Sequence, residues 1–275
     1  MKTANLVSET LEQFYSETYE EIRLEVGLGP LEFERNKELI QRFLPKNGVV
    51  ADVGGGPGVY SAWMAKAGYE VYLFDPVPKH IEQATKKAAK YKKNPFKAIL
   101  GEARKLDLAD ASADVVILHG PLYHLQEKKD RIAALREAYR VLKPGGVLLG
   151  FAINYTASTL VGLTNGYIHD KAFLEMCQQE LATGVHNAPG SWPGILPEAY
   201  YHRPSQLAAE VKEAEFGHID TFAVEGVIWL DSKYFENRSD PEKKQQQFAL
   251  LKATENHPEM LAMSPHMMIA ARKNA

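Results

Sequence analysis

An α/β fold built on a parallel sheet is what this 275-residue chain predicts, on three observations. Short runs of branched and aromatic residues at 49–53, 70–74, 96–100, 114–119 and 147–153 alternate with stretches of helical spacing. Parallel strands joined by crossover helices demand that order. The first run, Val49-Val50-Ala51-Asp52-Val53, falls directly into Gly54-Gly55-Gly56-Pro57-Gly58 and then Val59-Tyr60-Ser61, which reads as strand, tight turn and helix start. An acid, Asp75, closes the second run seventeen residues beyond Gly58.

Glycine tolerates positive φ and has no side chain to hold a ligand away, so amides at the start of the following helix can face a bound group. The dinucleotide fingerprint asks for glycine at its first, third and sixth positions, but counting from Gly54 gives Gly54, Gly56 and Val59. Counted from the acid, Asp52-x-Gly54-x-Gly56-x-Gly58 resembles the first motif of the class I S-adenosylmethionine-dependent methyltransferases. A strand-end carboxylate also suits a ligand bearing an ammonium and a sulfonium, and sits badly against a pyrophosphate. The string Arg140-Val141-Leu142-Lys143-Pro144-Gly145-Gly146 is typical of the same family, so the resemblance is specific over residues 45–155 and holds in outline beyond. It implies a Rossmann-like, seven-stranded, mostly parallel sheet with helices on both faces, and S-adenosyl-L-methionine as cofactor. It also implies one methyltransferase domain over 1–275: a helical leader (1–44), a cofactor-binding half (45–153) and cap insertions at 154–204 and 225–262.

Composition narrows the partners. An apolar fraction of 45% and a charged fraction of 24% are ordinary for a globular chain. A net charge of -3 without a clustered cationic surplus makes a poor holder of phosphate backbones, so nucleic acid is not an expected partner. The one cysteine, Cys177, has no partner for an intrachain disulfide and falls among Phe173, Leu174 and Leu181 at helical spacing, as a buried thiol in a reducing cytoplasm. The first thirty residues hold no continuous apolar core and no segment reaches membrane-spanning length, so neither a signal peptide nor a membrane partner is expected. The expected state is monomer or homodimer.

In chain order, Leu11, Phe14, Tyr15, Ile22 and Leu24 make a loose helical stripe, Gly27 to Pro30 break it, and Leu39, Ile40 and Phe43 resume it up to Pro45. A leader of this kind in the family folds over the cofactor cleft, which would bring Tyr15, Tyr19 and Arg23 to it; plain packing accounts for the aromatics as well. Val59 to Gly68 is the first crossover helix, and Glu70 to Phe74 the second strand. Asp75, followed by Pro76, has the placement to accept both hydroxyls of a ribose, in NAD and S-adenosylmethionine alike. Pro78 opens a helix whose lysines (Lys79, Lys86, Lys87, Lys90, Lys92 and Lys93) are interrupted by Ile81, Ala84 and Ala88 at core spacing, and so form its outer face. Strand Phe96 to Leu100 runs into Gly101-Glu102-Ala103, where the resemblance implies an acid and a small residue beside the adenine.

Strand Asp114 to His119 ends in Gly120-Pro121-Leu122-Tyr123-His124-Leu125, beside the first strand's carboxyl end, where open α/β sheets place their ligands. In the family this loop faces donor and acceptor, so His119 is assigned to the cofactor and Tyr123 to the substrate. Amino-methylating nucleic-acid enzymes carry an acid or Asn, two prolines and an aromatic here; Gly120 and Leu122 depart from that, which argues for a small-molecule acceptor. Asp130 caps a helix that Lys143-Pro144-Gly145-Gly146 stop before strand Val147 to Ile153. Strand signals then cease until Tyr201, around a helix near Lys171 to Ala182 and an aromatic, proline-rich loop. An insertion this long at the ligand end of a sheet is a lid or acceptor pocket. A helix from Ser205, strand His218 to Val224, a second insertion from Glu225 to Ala262 and strand His266 to Ala271 complete the chain. Trp192, Tyr201 and Trp229 are candidate substrate-pocket walls, the two tryptophans equally core candidates. Arg203 either pairs with an acidic substrate or ties down the lid.

Methyl transfer from a sulfonium is an in-line displacement with dispersed charge, which alignment and exclusion of water accelerate. The sequence has no HExxH and no carboxylate–histidine run at ligand spacing, so no metal is expected. A phenol, amine or acid acceptor gains from a base of near-neutral pKa, and His124 and His202 are the catalytic candidates, with substrate hydrogen bonding or capping as their alternative roles. The chain thus reads as a methyltransferase acting on O, N or S of a small molecule. An NAD(P)-linked oxidoreductase is disfavoured by Val59, and a non-catalytic S-adenosylmethionine-binding protein stays open because the transfer needs no unique residue.

Overall fold

Residues 6–91, 93–192 and 194–274 are described by the structure, a computed structural model; Lys92 lies outside them. Strands β1 (Val49–Val53), β2 (Glu70–Asp75), β3 (Lys97–Leu100), β4 (Ala113–Leu118) and β5 (Leu142–Ile153) are parallel. A small hairpin, β6 (Val185–Asn187) and β7 (Glu198–Tyr200), stands apart, and β8 (Gly217–Ala223) and β9 (His266–Arg272) complete the main sheet. Its order is β3-β2-β1-β4-β5-β9-β8, with β9 antiparallel to both neighbours. The predicted seven-stranded sheet is therefore present.

The leader contributes α1 (Glu9–Glu17) and α2 (Gly29–Gln41), and the crossovers are α3 (Val59–Lys66), α4 (Pro78–Ala88), a single turn α5 (Pro121–His124) and α6 (Lys128–Val141). Later come α7 (Ala157–Asn165), α8 (Lys171–Thr183), α9 (Pro204–Glu213), α10 (Tyr234–Asn237) and α11 (Pro241–Thr254). One face of the sheet buries Leu39 and Ile40 of α2, Tyr60 and Met64 of α3 and Ala84 of α4; the other buries Ile132 and Leu135 of α6 and Leu207 and Val211 of α9. Both faces being covered, Val50, Ala51 and Val53 are all buried, which is why β1 reads as a continuous apolar run. Strand order reverses between β1 and β4, and a crevice opens beyond the paired Val53 and Leu118.

Several boundaries differ from the sequence reading. Lys143 to Gly146 lie inside β5, because Leu142 already pairs with Ala113; the register then shifts, with Gly145 at φ 76°, before Val147 meets Val115. The N-cap of α6 is Glu127, and Asp130 sits in the first turn, paired with Arg104 at 3.1 Å. Lys90 and Lys93 fall past the end of α4. The leader has an extra 3-10 turn, Glu20–Glu25, and the first insertion holds α7 and the β6–β7 hairpin, whose three-residue strands are too short to show a period.

Two polar clusters fix the loops around the crevice. Arg131 pairs with Glu210 at 2.7 Å and donates to the carbonyls of Leu125 and Gln126 at 3.0 and 2.6 Å, pinning the exit of α5 to α9. Lys79 of α4 donates to the carbonyls of Tyr15, Ser16 and Thr18 at 3.3, 2.9 and 2.9 Å, and so holds the carboxyl end of α1 over the crevice. Lys79→Ala is expected to free the leader and raise the cofactor Kd about tenfold, with the unfolding midpoint nearly unchanged, since most of the sheet core is untouched. Calorimetry beside a thermal melt checks both.

Candidate active site

The crevice floor is the turn after β1. Gly54 donates its N–H to Phe74 O at 2.7 Å, which ties the turn to β2, and Gly56 at φ 55° leaves its Cβ position open, the nearest atom being Glu20 Cγ at 4.0 Å. Asp75 is buried at the end of β2. Its Oδ2 accepts the Gly56 N–H at 2.9 Å, and its Oδ1 accepts the Val77 N–H at 2.9 Å and meets His80 Nδ1 at 3.0 Å. The carboxylate thus has one fixed orientation. Gly54, Gly55, Gly56, Asp75, Pro76, Glu102 and Ala103 all line the crevice, Glu102 being steadied by Arg104 at 3.0 Å.

Asp52 and Gly58 do not line it. Asp52 is fully buried beneath the turn, accepting from Ser61 Oγ at 2.6 Å, and Gly58 is glycine because a Cβ would lie 2.8 Å from the Phe96 ring. Both shape the loop from below. Tyr19 is 72% exposed and outside the crevice: the 3-10 turn carries it outward, while Tyr15, Glu20 and Arg23 line the wall.

Beyond the turn, the His119 ring is stacked between Tyr60 and Phe151, with centroids 4.5 and 4.1 Å away. Tyr123 and His124 line the same wall, and His124 Nε2 meets the Tyr15 hydroxyl at 2.9 Å. Burial pushes His124 down to about 4, so at neutral pH it is an uncharged imidazole that orients Tyr15 and is a weak proton acceptor. This revises its role as a near-neutral base. It also has a consequence for stability. Because the folded pKa lies below the unfolded value, stability is intact above pH ~6.5 and lost as pH falls toward ~4, by about 3 kcal/mol over that window. Urea unfolding of His124→Asn against the parent at pH 7 and 4.5 should show a shallower acid loss in the variant.

Arg23 and Glu32 form a forked pair at 2.7 and 3.0 Å, and Arg23 Nε meets Glu20 at 2.6 Å. Burial acts to raise the Glu32 pKa, but Arg23 overrides it and holds the carboxyl at about 2. Close to this fork, His266 Nδ1 meets Glu225 Oε1 at 2.6 Å. Glu32, Glu225 and His266 bring potential ligand atoms within 4.8 Å of one another, but Glu32 is engaged by the Arg23 fork and Glu225 by His266, which makes the group a network of ion pairs. Glu20, Glu32, Asn36, Tyr60, Phe151 and His266 line the crevice and were not singled out in the sequence. A usable signal existed for His266: an antiparallel strand starts at the end where its parallel neighbours finish.

The remaining candidates lie away from the crevice. His202 is buried with Nε2 3.3 Å from Glu210 and its ring edge-on to Tyr200, holding the first insertion to α9. Tyr201 stacks on His186 at 4.7 Å, and Arg203 lies over the Tyr155 ring at 4.2 Å and donates to Leu181 O, which makes it a tie for the insertion. Trp192 packs against Tyr167 and Phe173, each at 4.9 Å. Trp229 donates its indole N–H to Met263 O at 2.8 Å and packs with Leu31 and Leu251. Each of these side chains is engaged by protein neighbours outside the crevice.

Of twelve buried side-chain polar atoms without a hydrogen-bond partner among the described residues, four, Asn36 Oδ1, His80 Nε2, His119 Nε2 and His124 Nδ1, belong to residues that line the crevice. Orphaned polar atoms around a crevice fit a ligand rich in hydrogen-bonding groups. Together with the glycine turn and the acid of β2 at the switch point, they define an α/β nucleoside-binding fold of the methyltransferase type.

Residues 51–150 match the model of the methyltransferase domain family. The chain is 34% identical over 186 residues to a ubiquinone/menaquinone biosynthesis C-methyltransferase of Rubrivivax gelatinosus, covering 67% of this chain and 66% of that one. It is 35% identical over 103 residues to a malonyl-[acyl-carrier protein] O-methyltransferase of Xylella fastidiosa, and there covers 37% of this chain and only 33% of the relative. A solved S-adenosylmethionine-dependent methyltransferase of Methanosarcina mazei superposes with a TM-score of 0.58 at 21% identity, over 86% of this chain and 97% of that one. The chain belongs to the class I S-adenosylmethionine-dependent methyltransferases, and S-adenosylmethionine is its cofactor.

Proposed function

We propose that this chain, as one domain over residues 1–275, transfers a methyl group to oxygen, nitrogen or sulfur of a small molecule. The observation that carries the reading is the Asp75 carboxylate locked onto the Gly56 amide at the switch point, under a leader that closes the crevice from above. When bound, S-adenosylmethionine supplies an electrophilic methyl on sulfur. The protein's part is to hold and align. Asp75 would take the ribose hydroxyls, Glu102 and Ala103 the adenine, and the Gly54–Gly56 backbone the amino-acid end. Tyr15, Tyr123 and the His119 stack wall off the other side and keep water out, and His124 fixes the Tyr15 hydroxyl.

A crevice roofed by Leu11 and Tyr15, on a chain of net charge -3, favours a small acceptor over a nucleic acid. The relatives' names include both a C- and an O-methyltransferase, so the acceptor atom is not inherited from them. Among the described residues no helix is long and apolar enough to cross a membrane, and Cys177 is a free buried thiol whose pKa burial raises to about 11, as suits a reducing cytoplasm. Incubation with methyl-labelled S-adenosylmethionine and a small-metabolite extract should yield S-adenosylhomocysteine and at least one labelled small product. Tight cofactor binding with no labelled product would instead mark a nucleoside sensor.

A further inference from the structure

We propose that Nε2 of His266 is the acceptor-binding donor of the crevice, and that the acceptor is held through an anionic oxygen, either a carboxylate or an ionised phenol or enol. This rests on the methyl-transfer reading and narrows its substrate class. His266 opens β9 opposite Ile153, the last residue of β5, and so stands at the ligand end of the sheet although its strand runs the other way.

The ring is fixed by a carboxylate with no freedom of its own. Glu225 is 1% exposed; its Oε1 takes His266 Nδ1 at 2.6 Å, and its Oε2 accepts from Ser264 Oγ at 2.9 Å and from the His266 N–H at 3.0 Å. With Nδ1 spent on Glu225, Nε2 is left without a protein hydrogen-bond partner among the described residues, on a side chain that lines the crevice. The charged groups facing the imidazole are Glu225, Glu32 and Arg23. Burial opposes protonation, but Glu225 and Glu32 outweigh both burial and Arg23 and push the pKa up to about 9, so the ring is an imidazolium at neutral pH. Glu32 is already matched by the Arg23 fork, which leaves the Nε2–H as a charged donor lacking its acceptor.

Such a donor discriminates. A protonated amine placed against that Nε2–H meets like charge, whereas an oxyanion completes a charge-assisted hydrogen bond. An acceptor bound as its anion is also already nucleophilic. No separate near-neutral base is then required, which agrees with an uncharged His124.

The test uses full-length protein saturated with S-adenosylhomocysteine and titrated at pH 8 with benzoate, 4-nitrophenolate and benzylammonium, with His266 followed by NMR. At least one oxyanion should bind and shift the His266 resonances, and the two arms tell carboxylate from phenolate. His266→Asn should weaken that oxyanion about tenfold or more while keeping S-adenosylhomocysteine affinity. Glu225→Gln should lower the His266 titration midpoint from about 9 and with it the oxyanion affinity at pH 8, whereas a purely structural role would lower the midpoint alone. Preference for benzylammonium, no binding of either oxyanion, or unchanged oxyanion affinity in His266→Asn each overturns this inference and leaves methyl transfer standing. A parent protein that takes up no S-adenosylhomocysteine overturns both.

Discussion

Asp75→Asn is expected to raise the Kd for S-adenosylmethionine about a hundredfold, ~3 kcal/mol, while the sheet stays folded. The substitution keeps the shape of the side chain but removes its charge and half its acceptors. In the parent, Oδ2 serves Gly56 and Oδ1 serves Val77 and His80, so the acid orders the glycine turn and the start of α4 together. An amide retains at most one oxygen for these donors and turns an NH2 toward the others or toward the sugar. Both the ligand contact and the preorganisation of the loop are lost, which is why the effect exceeds that of one hydrogen bond. Calorimetry on the variant, with circular dichroism to show intact secondary structure, measures it.

Gly54→Ala is expected to cost about 2–4 kcal/mol of stability and to abolish cofactor binding. A Cβ there would lie 2.6 Å from His119 O and 3.0 Å from Pro121 Cδ, with φ at 77°. The carbonyl belongs to the residue whose N–H bonds Val53 O at 2.8 Å, so it moves only if β1 and β4 part at their carboxyl ends. Gly145→Ala separates the two contributions. Its φ is 76° but no atom lies within 4 Å of the added carbon, so only the backbone penalty of about 1–2 kcal/mol is expected and binding should persist. Urea unfolding of the pair, beside calorimetry, reads the difference.

The parts of the molecule that were legible in the sequence are those whose local pattern and tertiary setting agree. β1 and β2 are covered on both faces, so their apolar runs and the polar residues that end them marked the strands to within a residue, and Asp75 followed from strand end and glycine turn together. Lys143 to Gly146 misled because proline and glycine usually stop elements, whereas here they occupy the irregular start of a long strand. Asp52 and Gly58 belong to the right motif but act from beneath the loop, since spacing along a chain does not say which side of a turn a residue faces. The insertion aromatics show the opposite limit. Trp192 and Trp229 had the chemistry of a pocket wall, yet each closes a small apolar cluster with neighbours that composition alone does not reveal. The meeting of His266 with Glu225 and Glu32 was invisible for a third reason: the three lie far apart in the chain and come together only because β9 is inserted antiparallel between β5 and β8.

Calorimetric titration of the purified chain with S-adenosylmethionine, S-adenosylhomocysteine and NADH is the most direct test of the central claim, that the turn between Asp52 and Gly58 with Asp75 holds a sulfur-bearing nucleoside. Saturable heat from the first two and none from NADH is the expected result. Silence from both sulfur nucleosides, or binding of NADH in their place, would contradict it.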